Sequence, residues 1–140
     1  MLNQPVPKIS WGWKTDSKPT PQTPATVTLE SFQQLIHKMY FEKDQARGIP
    51  ATFLWLTEEV GELAAALRET SDEEQARVAS DVFARRRENL GEEFADVLAW
   101  LATIANVADI NLSEAVASKY GSGCPGCQEF ICMCPDAEKP

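Results

Sequence analysis

In the stretch Thr57-Glu58-Glu59-Val60-Gly61-Glu62-Leu63, three carboxylates occupy five positions of a segment whose apolar pattern is that of a packed helix. Phe53, Leu56, Val60, Leu63 and Leu67 recur at spacings of three and four, which is one helical stripe. With about 100° per residue, Glu59 and Glu62 fall at the edge of that stripe beside Trp55, and Glu58 turns further toward solvent. Carboxylates at the rim of a core are costly unless positive charge sits with them.

The arrangement recurs in Leu90-Gly91-Glu92-Glu93-Phe94-Ala95-Asp96-Val97-Leu98. Here the apolar face is Phe94, Val97, Leu101, Ile104, Ala105 and Ala108, with Glu93, Asp96 and Trp100 on its flank and Glu92 pointing away. One E-x-x-E is a weak signal, because glutamate pairs on helices are usually solvated surface. Two clusters on two apolar helices are a stronger one. Packed side by side, the helices would bring four acids together, and like charges that close do not all stay ionised without cations. Such an oxygen-rich donor set suits the hard ions Mg²⁺ or Mn²⁺. A ferritin-like di-iron centre would need Glu-x-x-His pairs, and neither cluster has one. Gly61 and Gly91 adjoin the acids. Glycine inside a helix costs about 1 kcal/mol against alanine, so both are expected to permit close helix approach.

The chain of 140 residues is long enough for one domain, and 13 Lys plus Arg against 21 Asp plus Glu give a net charge of −8. That surface repels nucleic acid polymers and anionic membranes. A small polyanion is still admitted where metal ions neutralise it and the carboxylates together. The N-terminus carries no apolar run of signal-peptide type. The longest uncharged apolar run, 97–108, is far short of the ~20 residues that span a bilayer. A soluble, cytoplasmic protein is the expectation.

Residues 1–26 hold five of the nine prolines, so a flexible Pro-rich arm is expected there. Trp11 and Trp13 within it either dock on the protein or a neighbouring subunit, or are incidental. Thr28 is an N-cap for a helix whose face is Leu29, Phe32, Leu35, Ile36, Met39 and Tyr40, ending near Gly48 before Pro50. A second helix is expected over 51–69. Ser71 to Glu74 reads as a capping box, followed by a charged short helix or helical extension over 75–89. Arg85-Arg86-Arg87 in that segment is ordinarily solvated surface, with phosphate contact as the alternative. A third helix is expected over 90–109. Asn111 to Glu114 caps a last one to about Tyr120. No strand pattern appears. These few helices make a thin core, and the nearly all-round apolar run 97–108 suggests burial on more than one side. Homo-oligomerisation is the simplest way to supply the second side.

All four cysteines fall near the C-terminus, as Cys124-Pro125-Gly126-Cys127 and Cys132-Met133-Cys134. The C-x2-C-x4-C-x-C spacing, with Pro-Gly making a knuckle, favours a structural Zn²⁺. Disulfides, an iron–sulfur site and free thiols are the competing readings, and reducing conditions weaken the first. Four thiolates would close the coordination sphere, which makes the ion structural rather than catalytic.

Glu58-Glu59-Val60-Gly61-Glu62-Leu63 and Glu93-Phe94-Ala95-Asp96-Val97-Leu98, with the helix opening at Ala108-Asp109-Ile110-Asn111-Leu112-Ser113-Glu114, resemble the E-E-x-x-E and E-x-x-D motifs of the MazG-like, all-α nucleoside triphosphate pyrophosphohydrolases. The resemblance covers about 28–120. The 30 residues between Glu62 and Glu93 slightly exceed that family's usual spacing. It implies an all-α, MazG-like helical bundle completed by homodimer or homotetramer formation. The expected organisation is a Pro-rich arm over 1–26, the domain over 27–121 and a Cys-rich tail over 122–140. It also implies that Glu59, Glu62, Glu93 and Asp96 bind Mg²⁺ (or Mn²⁺), and that a nucleoside triphosphate is cleaved to monophosphate and pyrophosphate in nucleotide-pool house-cleaning. Glu58 is positioned to orient or deprotonate the attacking water. Trp55 is the first candidate for stacking on the base, with ordinary core packing as its competing reading; Phe53 and Tyr40 are weaker candidates. His37, the single histidine, is either a hydrogen-bonded, partly buried core residue or a substrate contact. Lys119 is a candidate phosphate contact. From another class, a non-catalytic, metal-stabilised helical interaction protein that docks through its zinc tail is the alternative.

Overall fold

The computed structural model describes residues 27–135. The Pro-rich arm, with Trp11 and Trp13, and residues 136–140 lie outside the described residues. Within them the chain forms α1 (Leu29–Arg47), α2 (Ile49–Glu69), α3 (Asp72–Gln75), α4 (Ser80–Val107) and α5 (Leu112–Tyr120), with no strand among the described residues.

The starts and stops follow local chemistry. Thr28 Oγ1 accepts the Ser31 N–H (3.1 Å) while Ser31 Oγ accepts the Thr28 N–H (2.9 Å), a reciprocal cap on α1. Gly48 then separates two helices by adopting φ 80°, ψ 163°, a region open essentially to glycine alone. Its N–H bonds Asp44 O at 2.9 Å, and its carbonyl accepts from Thr52 Oγ1 at 2.8 Å. Pro50 follows in the first turn of α2, where a missing N–H costs nothing. Ser71 Oγ caps α3 by accepting the Glu74 N–H (3.4 Å). Asn111 Oδ1 caps α5 by accepting from Glu114 (3.1 Å). α5 leaves α4 at 101°.

α4 starts at Ser80, so residues 80–89 take the helical-extension alternative and run on into the helix expected from 90. Its charged first turns are tied down by Arg86, whose Nη1 donates to Glu69 O (3.2 Å) and to Glu74 Oε2 (3.1 Å). Val82 and Phe83 beside it are half-buried. Arg86 thus joins α4 to the end of α2 and to α3, while Arg85 pairs with Asp81 on its own helix (3.5 Å).

α4 is the common partner of the fold, packed chiefly against α2 and then α1. Contacts are made by small residues: Ala66, Ala102, Ala105, Thr52 and Thr103 are buried, with Ile36 and Leu90 the larger members. The far end is locked by Gln33, which donates to Ile110 O (2.7 Å) and Asn106 Oδ1 (3.0 Å) and accepts the Leu112 N–H (2.9 Å).

Several residues expected in the core lie outside it. Phe53 is 56% exposed, Val60 48%, Leu67 47%, Phe94 54% and Leu101 44%. The reason is geometric: α4 covers the side of α2 that carries Thr52 and Ala66, leaving the bulky stripe uncovered in a single chain. The 97–108 run is likewise buried through Ala102, Thr103 and Ala105 and open at Leu98 and Leu101. Nor do Gly61 and Gly91 mark a close approach, since a Cβ at either would meet nothing within 4 Å. Among the described residues no single helix is long and apolar enough to cross a membrane.

Candidate metal centre

Glu59 from α2 and Glu93 and Asp96 from α4 converge, each offering a carboxylate oxygen within 4.8 Å of the others. Helix pairing produces this: the i, i+3 acids of α4 share a face, and α2 lays Glu59 against it. The cost is visible at Glu93, whose carboxyl is held above its usual value, first by burial and then by the charges of Glu62, Asp96 and Glu59. Asn89 Nδ2 opposes this by donating to Glu93 Oε1 (3.3 Å). The crowding of negative charge at Glu93 favours an added cation, and the all-oxygen donors of the cluster match a hard one.

Glu62 is exposed and lies outside the 4.8 Å cluster, although its charge is felt at Glu93. Glu58 is exposed on α2. Trp55, 47% exposed, lies on Trp100 with ring centroids 5.8 Å apart and planes 9° from parallel. It is therefore neither fully packed nor free, keeping about half its surface at the rim of the acids. His37 stacks on Phe41 one turn along α1 (4.1 Å), and burial lowers its pKa. It is not among the residues whose ligand atoms gather at the acids. Lys119 lies on α5 with Nζ 5.3 Å from the Tyr120 ring centroid. Phe53 and Tyr40 are exposed.

Two contributors are not singled out as functional by the sequence pattern. Trp100 donates its indole N–H to Glu59 Oε1 (3.0 Å), fixing one oxygen of the acid cluster. The guanidinium of Arg47 lies 5.2 Å from the Trp100 ring centroid and pairs with the buried Asp44 at 2.8 Å. A signal existed for Trp100, four positions after Asp96 and thus on the acid face. None existed for Arg47, which arrives from α1 across the Gly48 break.

A second cluster lies after α5. One Sγ each from Cys124, Cys127, Cys132 and Cys134 fall within 4.8 Å of one another. Backbone N–H groups of Met133 and Glu129 lower the Cys127 thiol to about 6, and those of Cys127 and Gly126 lower Cys124. Cys134, hydrogen-bonded to the other sulfurs, is pushed up to about 12. Both clusters could hold a metal ion, one through oxygen and one through sulfur.

Among the described residues the fold is all-α and brings carboxylates from two helices into one cluster that could hold a hard cation. The sequence model of the MazG nucleotide pyrophosphohydrolase domain matches residues 48–127, more than half of the chain, and the chain belongs to that family. Comparison with curated proteins gives no match. The family resemblance carried by Glu58 to Leu63 and Glu93 to Leu98 is thereby borne out. Membership points to nucleotide pyrophosphohydrolase activity in general, with a nucleotide as substrate.

Proposed function

We propose that this protein is a Mg²⁺-dependent nucleoside triphosphate pyrophosphohydrolase that cleaves a (d)NTP between its α and β phosphates. The products are a (d)NMP and pyrophosphate, and the physiological role is house-cleaning of the nucleotide pool. The observation that carries this is the convergence of Glu59, Glu93 and Asp96 in a chain of this family. Glu59, Glu93 and Asp96, with Glu62 nearby, would hold Mg²⁺ (or Mn²⁺), which would supply positive charge to the triphosphate and to the leaving pyrophosphate.

The chain's own residues do the rest. Trp100 holds Glu59 in its ligand orientation. Glu58, adjacent in sequence and open to solvent, orients or deprotonates the attacking water. The open face of Trp55 stacks on the base, while its inner face rests on Trp100. His37 and Lys119 are further substrate contacts in this reading, on α1 and α5.

The active form is a homodimer or homotetramer. Phe53, Leu54, Val60, Leu67, Phe94 and Leu101 support this, because so many large apolar side chains are exposed on α2 and α4. The enzyme is cytoplasmic in this reading, and the net charge of −8 supports a small nucleotide in place of a nucleic acid polymer or an anionic membrane as its partner. The tail cysteines hold a structural Zn²⁺ outside the reaction, since four sulfurs leave no position for substrate.

Incubation with Mg²⁺ and a panel of nucleoside triphosphates tests the proposal. Monophosphate and pyrophosphate are expected, and both should vanish in Glu59→Ala and Asp96→Ala. No turnover with either Mg²⁺ or Mn²⁺ would refute it and favour an interaction protein.

A further inference from the structure

The segment after α5 has almost no apolar support. Phe130 is 88% exposed, Ile131 81% and Met133 75%. A stretch that cannot bury its side chains does not offset the entropy of ordering its backbone, so something other than a core must hold this fold. What converges instead is sulfur. Cys124 Sγ lies 3.4 Å from Cys132 Sγ and 3.8 Å from Cys134 Sγ, and all four sulfurs come within 4.8 Å of one another. A Zn–S bond of about 2.3 Å in a tetrahedron sets sulfur–sulfur edges of about 3.8 Å. The cluster is therefore the size of one ion and too tight to enclose a multinuclear iron–sulfur core.

The backbone is arranged around those sulfurs. Gly126 and Cys127 direct N–H groups at Cys124 Sγ, and Glu129 and Met133 direct theirs at Cys127 Sγ, the last at 3.4 Å. Donors aimed at sulfur offset the surplus negative charge of four thiolates on a divalent ion. The loop closes on itself through Cys124 N–H to Glu129 O (2.9 Å) and Gln128 N–H to Cys124 O (2.7 Å). Gly123 makes the closure possible with φ 104°, and a Cβ there would fall 2.8 Å from the Glu129 carbonyl. Its N–H also bonds Tyr120 O (3.0 Å), joining the knuckle to the end of α5.

We propose that Cys124, Cys127, Cys132 and Cys134 form a preorganised tetrathiolate site for one Zn²⁺ that holds the fold of the segment after α5, a role that develops the structural-ion reading above and is independent of the phosphate chemistry. The oxygen cluster and this one divide the metals by softness: thiolates select Zn²⁺, carboxylates select Mg²⁺. The family match ends at Cys127, so it includes the first cysteine pair and not the second.

The test uses the full-length protein. Native mass spectrometry of protein purified without added metal is expected to give one zinc per chain. Exchange for Co²⁺ is expected to produce intense sulfur-to-cobalt charge-transfer absorption and the strong visible bands of a tetrahedral ion. These persist in Glu59→Ala, because cobalt at a carboxylate cluster has no sulfur band, and are lost or reshaped in Cys127→Ser and Cys134→Ser. Gly123→Val, which leaves all ligands in place, should weaken the metal by at least tenfold in competition with a chelator. A charge-transfer spectrum unchanged in both cysteine variants, a mass lower by the hydrogens of two disulfides, or iron in place of zinc would each overturn the assignment. Loss of triphosphate cleavage alone bears only on the proposed reaction, because the cobalt spectrum is read without substrate.

Discussion

Trp100→Phe isolates the hydrogen bond that orients Glu59, a ligand in the proposed Mg²⁺ site. Phenylalanine keeps an aromatic ring against Trp55 and beneath Arg47, but removes the N–H that Glu59 Oε1 accepts at 3.0 Å. A hydrogen bond to a charged group contributes about 1.5–3 kcal/mol. Both partners are half-buried, so water can replace part of the bond and the lower end applies. About 1.4 kcal/mol corresponds to a tenfold change in an equilibrium constant, at the lower edge of the 10–100-fold that ligand-orienting partners typically contribute to metal affinity. With pyrophosphate release measured against Mg²⁺ at saturating nucleotide, the half-saturating Mg²⁺ should rise about tenfold, with the rate largely recovered at high Mg²⁺. Trp55→Phe, which leaves the bond to Glu59 intact, should instead raise the KM for nucleotide. If the Trp100→Phe Mg²⁺ curve superimposes on that of the parent while circular dichroism shows an intact fold, Trp100 does not position Glu59.

Gln33→Leu strips three partners at the α1–α4–α5 junction and leaves Ile110 O and the Leu112 N–H unsatisfied; urea unfolding should show a loss of at least about 2 kcal/mol, and a loss below about 0.5 would mean water substitutes freely. Gly48→Ala places a Cβ where φ is 80° and ψ 163°, so a destabilisation of about 1–3 kcal/mol is expected, read as a lower melting temperature. The Glu74 carboxyl is held below its ordinary value of 4.5, first by the hydrogen bond from Arg86. A depressed folded-state pKa contributes stability that is fully present above that ordinary value and is lost as pH falls through the lower folded one. The stability gap between parent and Arg86→Gln should therefore be constant above the ordinary value and close below it; a gap that widens with acid contradicts the assignment. Phe53→Ser combined with Phe94→Ser should reduce the sedimenting mass toward one chain, whereas an unchanged mass would place the subunit interface elsewhere.

Helix content was legible because its determinants are local. Thr28, Ser71 and Asn111 cap the helices they precede, and Gly48 with Pro50 breaks α1 from α2 where the residue types require it. The start of α4 was not legible, since residues 80–89 have weak apolar periodicity and are held by Arg86, whose partners Glu69 and Glu74 lie 17 and 12 positions away. The acid cluster was foreseen from two i, i+3 pairs, yet only three of the four expected ligands converge. Which acids meet depends on the rotation of α2 against α4, to which spacing within one helix is blind.

The sequence alone determines most helix boundaries, the chemistry of the carboxylate and thiol clusters and the motifs shared with the family, because caps, periodicity and cysteine spacing act over a few residues. Only the tertiary structure decides that small residues face inward while Phe53, Val60 and Phe94 face out, and that Arg47 and Trp100 buttress Glu59. The physical reason is that an apolar stripe states a preference for burial without naming its partner. Side-chain volume at the helix contact chooses which face is covered.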